Sequence, residues 1–255
     1  MTIYYSIIFF ILGTIFGSFY NVVGLRKPQK KSIIYPGSSC GICNHKLKAF
    51  ELIPVISYLM LRGKCYNCKT SFSSLYMWFE ILTGILFTIS FLVFGLSFEL
   101  IISLIFISIL VIITISDVHY MIILDEALIF GFISIFIVYL IFDINIIIPA
   151  LISAFVSFMF TFILKYISSI AFKKESMGDG DIKLMFLIGF VLIEFPINIL
   201  PLFLASFLAL PFATFGFIKN QEKEFAFGPF IALGALILYF TKFSLENLLD
   251  LIMWF

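Results

Sequence analysis

Charge is scarce in this sequence: Asp, Glu, Lys and Arg make up 12% of the 255 residues, and there are only two histidines. With 62% of residues hydrophobic and a mean hydropathy of +1.18, a soluble fold of this length has too little interior to hide its apolar side chains. A formal net charge of +1 gives no reason to expect a nucleic-acid partner. There is no internal repeat and no glycine-rich dinucleotide fingerprint. Cysteine is limited to four residues in two close pairs, which points to a metal site rather than a disulfide framework if their loop is cytosolic. The first apolar stretch, Ile3 to Val23, lacks a preceding basic residue and a small-residue cleavage site. It is therefore expected to stay as a helix rather than act as a cleaved signal.

What the sequence does contain is long apolar blocks. Eight of them, near 3–24, 73–95, 98–116, 122–142, 145–170, 182–195, 196–218 and 227–241, approach the ~20 residues needed to span hydrocarbon. The expected fold is an all-α integral membrane protein of about eight transmembrane helices. The sixth block is short and parts from the seventh only at Glu194 and Pro196. The 35 phenylalanines and the abundant isoleucine are compositional and mark no cofactor site.

One long polar interruption, 25–72, separates helix 1 from a membrane region at 73–255. It holds nine basic residues, from Arg26 to Lys69, against the single acid Glu51. Placing this loop in the cytosol also puts Lys165, Lys173, Lys174, Lys183, Lys219 and Lys223 inside, leaving Lys242 alone outside. The same arrangement brings Asp117 and the Gly178-Asp179-Gly180-Asp181 segment to the cytosolic side.

Within the loop, Cys40-Gly-Ile-Cys43 and Cys65-Tyr-Asn-Cys68 are two C-x2-C hooks. Each turns tightly enough for two thiolates to grip one ion, and together they complete a tetrahedral four-sulfur shell suited to zinc. Lys64 and Lys69 favour the thiolate form, and metal binding supplies much of the loop's folding energy. The alternative is a pair of redox or free thiol hooks. With four sulfurs filling the shell, His45 is expected to be a solvated loop histidine.

Acids inside a bilayer are expensive and usually functional. Asp117 follows the apolar run 109–115, and Asp181 opens another. Held close, two carboxylates share a proton, so one activates water while the other polarises a carbonyl. Glycines beside Asp181 let an extended backbone approach. The competing reading is that these acids cap helices at the interface. Glu80, about two turns into helix 2, shares a face with Tyr76 and Gly84. It is either a structural partner of Arg26 or a lysine, or part of a ligand site.

These motifs resemble the type IV prepilin peptidase family, the bifunctional leader peptidases and N-methyltransferases. The resemblance is carried by Gly17-Ser18-Phe19-Tyr20-Asn21-Val22-Val23 with Arg26 and Pro28, then by Cys40–Cys43. Next come Glu51-Leu52-Ile53-Pro54-Val55-Ile56-Ser57-Tyr58 and Arg62-Gly63-Lys64-Cys65 with Cys68. Gly178-Asp179-Gly180-Asp181-Ile182-Lys183 is similar to the family's G-x-G-D-x-K motif, and Phe227-Gly228-Pro229-Phe230 to its last helix. Downstream of Asp117, Leu124 stands where the family pattern has proline, at the start of helix 4. His119 is expected to cap the short loop there, and Asp125 to be a helix-start acid.

The resemblance implies a catalytic pair of Asp117 and Asp181 and a peptidase domain over 73–255, with the cysteine loop at 25–72 associated with methyl transfer. It implies cleavage of prepilin or pseudopilin substrates after glycine, at the cytosolic side of a bacterial cell membrane. Methylation of the new N-terminus by S-adenosylmethionine follows, with Glu80 and Gly84 as methyl-donor residues and zinc on Cys40, Cys43, Cys65 and Cys68. The rivals are a peptidase without methyl transfer, and a non-enzymatic scaffold or transporter with a metal knuckle.

Overall fold

In hydrocarbon a backbone N–H or C=O has no water to bond and must be satisfied within its own segment, so each apolar run closes into a helix. The computed structural model describes residues 1–173, 177–218, 226–247 and 250, and among them there is no strand. The helices are α1 (Thr2–Arg26), α2 (Ile56–Met60), α3 (Leu75–Phe94), α4 (Phe98–Tyr120), α5 (Asp125–Phe142), α6 (Ile147–Phe172), α7 (Asp179–Val191), α8 (Leu200–Ile218) and α9 (Gly228–Thr241). Every apolar block of the sequence has its helix. Five segments, Thr2–Arg26, Leu75–Phe94, Phe98–Tyr120, Asp125–Phe142 and Ile144–Ala171, are long and apolar enough to cross a membrane. By contrast α7 and α9 have 13 and 14 residues, about 20 Å at 1.5 Å per residue, against a core of ~30 Å. The expected positions of Lys174, Lys219 and Lys223 lie outside the described residues.

The chain divides into two units, Met1–Ile115 and Ser116–Phe255. In the first, α1 lies directly on α3 because glycines remove the side chains that would hold them apart. A Cβ on Gly13 would stand 2.7 Å from Gly84 Cα, and one on Gly17 would stand 2.9 Å from Glu80 Cα. Small residues four apart on a membrane helix let backbones approach this closely. Tyr20 and Ser108 share a hydrogen bond of 2.5 Å between α1 and α4. At the end of α1 the Arg26 guanidinium donates to Ser32 O (3.1 Å) and Pro36 O (2.8 Å), which fixes the start of the loop.

In the second unit α6 packs on α7 and α8 on α9, with α5 also against α7. The short link between α7 and α8 is held by buried polar groups. Asn198 Nδ2 donates to Ser153 O at 3.2 Å, and Ser153 Oγ donates to Leu192 O at 3.0 Å. These bonds satisfy backbone and amide groups that lipid cannot.

Two helix ends differ from expectation. The sequence ends the third apolar block at 116, yet α4 continues through Asp117 to Tyr120 and stops where Met121 turns to φ 55° with its N–H on Asp117 O (2.8 Å). At the other site α7 begins at Asp179, before the expected 182. Both aspartates are therefore held on helices rather than on the connections beside them.

Candidate active site and metal centre

Asp117 lies in the last turn of α4 and Asp181 in the first turn of α7, and each is only 6% exposed. Burial at helix ends is possible because backbone amides meet the carboxylates. Gly228 N–H, at the start of α9, donates to Asp117 Oδ2 at 2.9 Å, and Gly178 N–H donates to Asp181 Oδ2 at 3.2 Å. The two helix ends meet at Ile123, against which both Gly180 and Gly228 pack. Ile123 closes the same site. A Cβ on Gly180 would sit 2.7 Å from Ile123 Cβ, and one on Gly228 would sit 3.6 Å from Ile123 Cδ1 and 2.8 Å from Asp117 Oδ2. Each carboxylate thus has one oxygen anchored by a backbone amide.

Around this pair, the surface acids are engaged elsewhere. Asp125 begins α5 and accepts both hydrogen bonds from Lys183, while Asp179 pairs with Lys165. Asp125 is the helix-start acid the sequence suggested, with an ion pair added. His119 lies in the last turn of α4. Leu124 is the N-cap of α5 with φ −78°, within the range proline enforces, so the backbone here keeps the shape that the family's proline would impose.

The four cysteines converge. Cys40 Sγ is 3.7 Å from Cys68 Sγ, Cys43 Sγ is 3.9 Å from Cys65 Sγ, and all four sulfurs lie within 4.8 Å of one another. Tetrahedral thiolates around zinc at about 2.3 Å stand about 3.8 Å apart, so the donor set fits that ion. The two hooks are built alike. Cys40 N–H donates to His45 O and Cys65 N–H to Thr70 O. Asn44 and Lys69 each turn back with positive φ, and Ser39–Lys46 and Lys64–Ser71 each form an antiparallel bridge. The Thr70 hydroxyl and N–H draw the Cys68 thiol down to about 6, while burial and the neighbouring thiols push Cys65 up to about 11.

His45 is not the solvated residue expected. Its Nε2 is 3.1 Å from Glu51 Oε2, and the Glu51 side chain is 1% exposed. Burial pushes the Glu51 carboxyl up, but the Lys48 N–H at 2.8 Å and the His45 ring outweigh it and hold it below the usual carboxylate range. With one acid among nine bases, the loop folds around that acid.

Glu80 points from α3 to the loop. Its Oε2 accepts from Val55 N–H at 2.7 Å, and the Ser18 hydroxyl also bonds to the carboxylate. Arg26, the suggested structural partner, is committed to loop carbonyls. Gly84 serves the helix seam, where a Cβ would meet Thr14 and Phe10 at 2.9 and 3.0 Å. No specific role for Asn21, Ser18, Ile123 or the Gly228 N–H is legible in the sequence. Backbone donors and steric neighbours carry no residue-type signal, although a polar Asn21 within a membrane helix was a visible hint.

Apolar helices, paired buried aspartates at helix ends and a four-thiol centre define a membrane protein of the helical, carboxylate-bearing class. Family models agree with this: the Bacterial Peptidase A24 N-terminal domain matches residues 11–94, and the Type IV leader peptidase family matches residues 104–214. The chain is 38% identical over 185 residues to a prepilin leader peptidase/N-methyltransferase of Bacillus subtilis, covering 72% of this chain and 73% of that one. A relative of the same name from Myxococcus xanthus is 32% identical over 185 residues, 72% of this chain and 55% of the relative. One from Neisseria gonorrhoeae is 28% identical over 261 residues, 90% of this chain and 88% of the relative. No solved structure matches. The chain belongs to the type IV leader peptidase family.

Proposed function

We propose that this chain is a bacterial membrane endopeptidase that removes the leader of prepilin or pseudopilin substrates after glycine, using Asp117 and Asp181. The observation that carries the reading is the pair of buried carboxylates on α4 and α7, each with one oxygen on a backbone amide. The ionised member takes a proton from water as the oxygen attacks the scissile carbonyl. The protonated member donates to the carbonyl oxygen, and the proton then passes to the leaving amine. Gly180 and Gly228 lack side chains where Ile123 and Asp117 come close, which lets the parts of the site pack together.

The basic loop and the lysines support a cytosolic position for this chemistry under the charge rule for membrane loops. In the same reading the chain spans the membrane about eight times, zinc occupies the cysteine centre, and S-adenosylmethionine supplies a methyl group to the new N-terminus. The relatives bear the double name, which favours this over cleavage alone.

The test is cleavage of a prepilin by the purified protein in detergent, with Asp117→Asn and Asp181→Asn beside wild type. Each substitution is expected to lower the rate by at least about 10³-fold while the helix content stays unchanged. Normal cutting by either variant would reduce that aspartate to a helix cap.

A further inference from the structure

Glu80 and Asn21 face a common seam between α1 and α3, and both are buried, at 9% and 6% exposure. Asn21 Nδ2 donates to Tyr76 O at 3.0 Å, one turn before Glu80 on α3, while its Oδ1 has no hydrogen-bond partner. Gly17, one turn before Asn21 on α1, rests against the Glu80 backbone. Only neutral groups meet the Glu80 carboxylate: the Ser18 hydroxyl and the Val55 N–H. Among the described residues no lysine, arginine or histidine forms an ion pair with it. A buried carboxylate needs a positive partner, and a buried amide oxygen needs a donor. Both lacks are met by one kind of ligand, a primary ammonium.

Val55 adds a third sign. It adopts φ 62°, ψ −53°, with Ile56 N–H on Pro54 O at 2.6 Å, a γ-turn of the strained positive-φ kind and a conformation foreign to a β-branched residue. Such strain clusters at ligand clamps. An ammonium on Glu80 would replace the Val55 N–H and let that turn relax.

We propose that Ser18, Asn21, Glu80 and the Val55 backbone form the site for the acceptor amine of methyl transfer, with Glu80 as its base. The inference rests on the methyl-transfer reading above. The methionine end of the donor also carries an ammonium, but with a carboxylate beside it that needs donors of its own. The donors of this cluster are already engaged, the Ser18 hydroxyl and the Val55 N–H on Glu80 and the Asn21 amide N–H on Tyr76 O, which leaves acceptors to offer. A peptide N-terminus brings an ammonium without a carboxylate, followed by an apolar chain that suits an apolar seam. In the reaction Glu80 takes a proton from the ammonium. The freed nitrogen lone pair forms a bond to the methyl carbon of the sulfonium donor. The carbon–sulfur bond breaks with its electron pair on sulfur, giving an N-methylammonium and a neutral thioether, and Glu80 releases its proton to water.

The test uses the full chain in detergent with a radiolabelled S-adenosylmethionine methyl group. The acceptor is a peptide that begins with phenylalanine, and cleavage of an intact prepilin by the same preparation serves as fold control. For Glu80→Gln, methylation near pH 7 is expected to fall ~10²-fold, the scale of a lost general base, with cleavage unchanged. Its residual methylation should climb toward wild type as pH passes ~8, where the amine arrives already neutral. Asn21→Ala should weaken the peptide KM and leave donor affinity alone. A Glu80→Gln variant that methylates normally, loses the same factor at every pH, or loses donor affinity in proportion overturns the proposal. So does methylation that depends on added sodium or magnesium, which would make the cluster a metal site. If wild type cleaves but transfers no methyl to any acceptor, the methyl-transfer reading itself fails and the proposal with it.

Discussion

Lys183 Nζ stands 2.8 and 2.7 Å from the two carboxylate oxygens of Asp125, tying the N-terminal part of α7 to the first turn of α5. Both side chains are about half exposed, so the pair adds no more than ~1 kcal/mol to stability. Its effect is on position, because Asp181 lies two residues before Lys183 and Ile123 two residues before Asp125. Lys183→Ala is expected to lower the cleavage kcat by about tenfold, since small misplacements near reacting groups weigh heavily on rate. The reversed pair, Lys183→Asp with Asp125→Lys, should recover much of the loss. A double-mutant cycle on kcat and on thermal unfolding separates the two effects.

Gly228 admits no side chain. A Cβ there would stand 2.8 Å from Asp117 Oδ2, the oxygen its own N–H holds. Gly228→Ala should displace the carboxylate and reduce cleavage on the order of 10²-fold, with the unfolding temperature nearly unchanged. Gly37→Ala, where nothing lies within 4 Å, is the matched control and should behave as wild type.

Metal removal should act on the loop first. Wild type is expected to carry about one zinc per chain by elemental analysis, as a single four-sulfur shell dictates. A chelator, or Cys65→Ser, should open the 25–72 segment to trypsin at least about tenfold faster, because metal binding is folding energy for such a loop. Methyl transfer should fall with it, because Val55 belongs to that segment, while prepilin cleavage persists.

Much of this was legible in advance because lipid imposes one solution on an apolar run. The eight blocks gave eight helices, and the two hooks gave the sulfur cluster, since spacing alone fixes a C-x2-C turn. Helix ends were less legible. Val118, His119 and Tyr120 carry no stop signal, and the halt comes from the backbone of Met121. His45 was misjudged because sequence does not show which acid a loop folds around. The importance of Glu80 was visible as an acid in a membrane helix, but its surroundings were not. Val55 reaches it from 25 residues away, and Asn21 reaches the turn before it at Tyr76 from 55 residues away, through packing that the small residues Gly13, Gly17 and Gly84 permit.

That seam also bears on the metal centre. The knuckle loop is the connection between α1 and α3, whose backbones are already in contact, so its two ends are clasped before any ion arrives. The chain behaves as a preformed macrocycle: ring closure is borne by the membrane helices, and the ion only has to draw together the hooks inside it. An excised peptide of residues 25–72 must close that ring for itself, and so should bind zinc more weakly than the same four thiols in the intact protein.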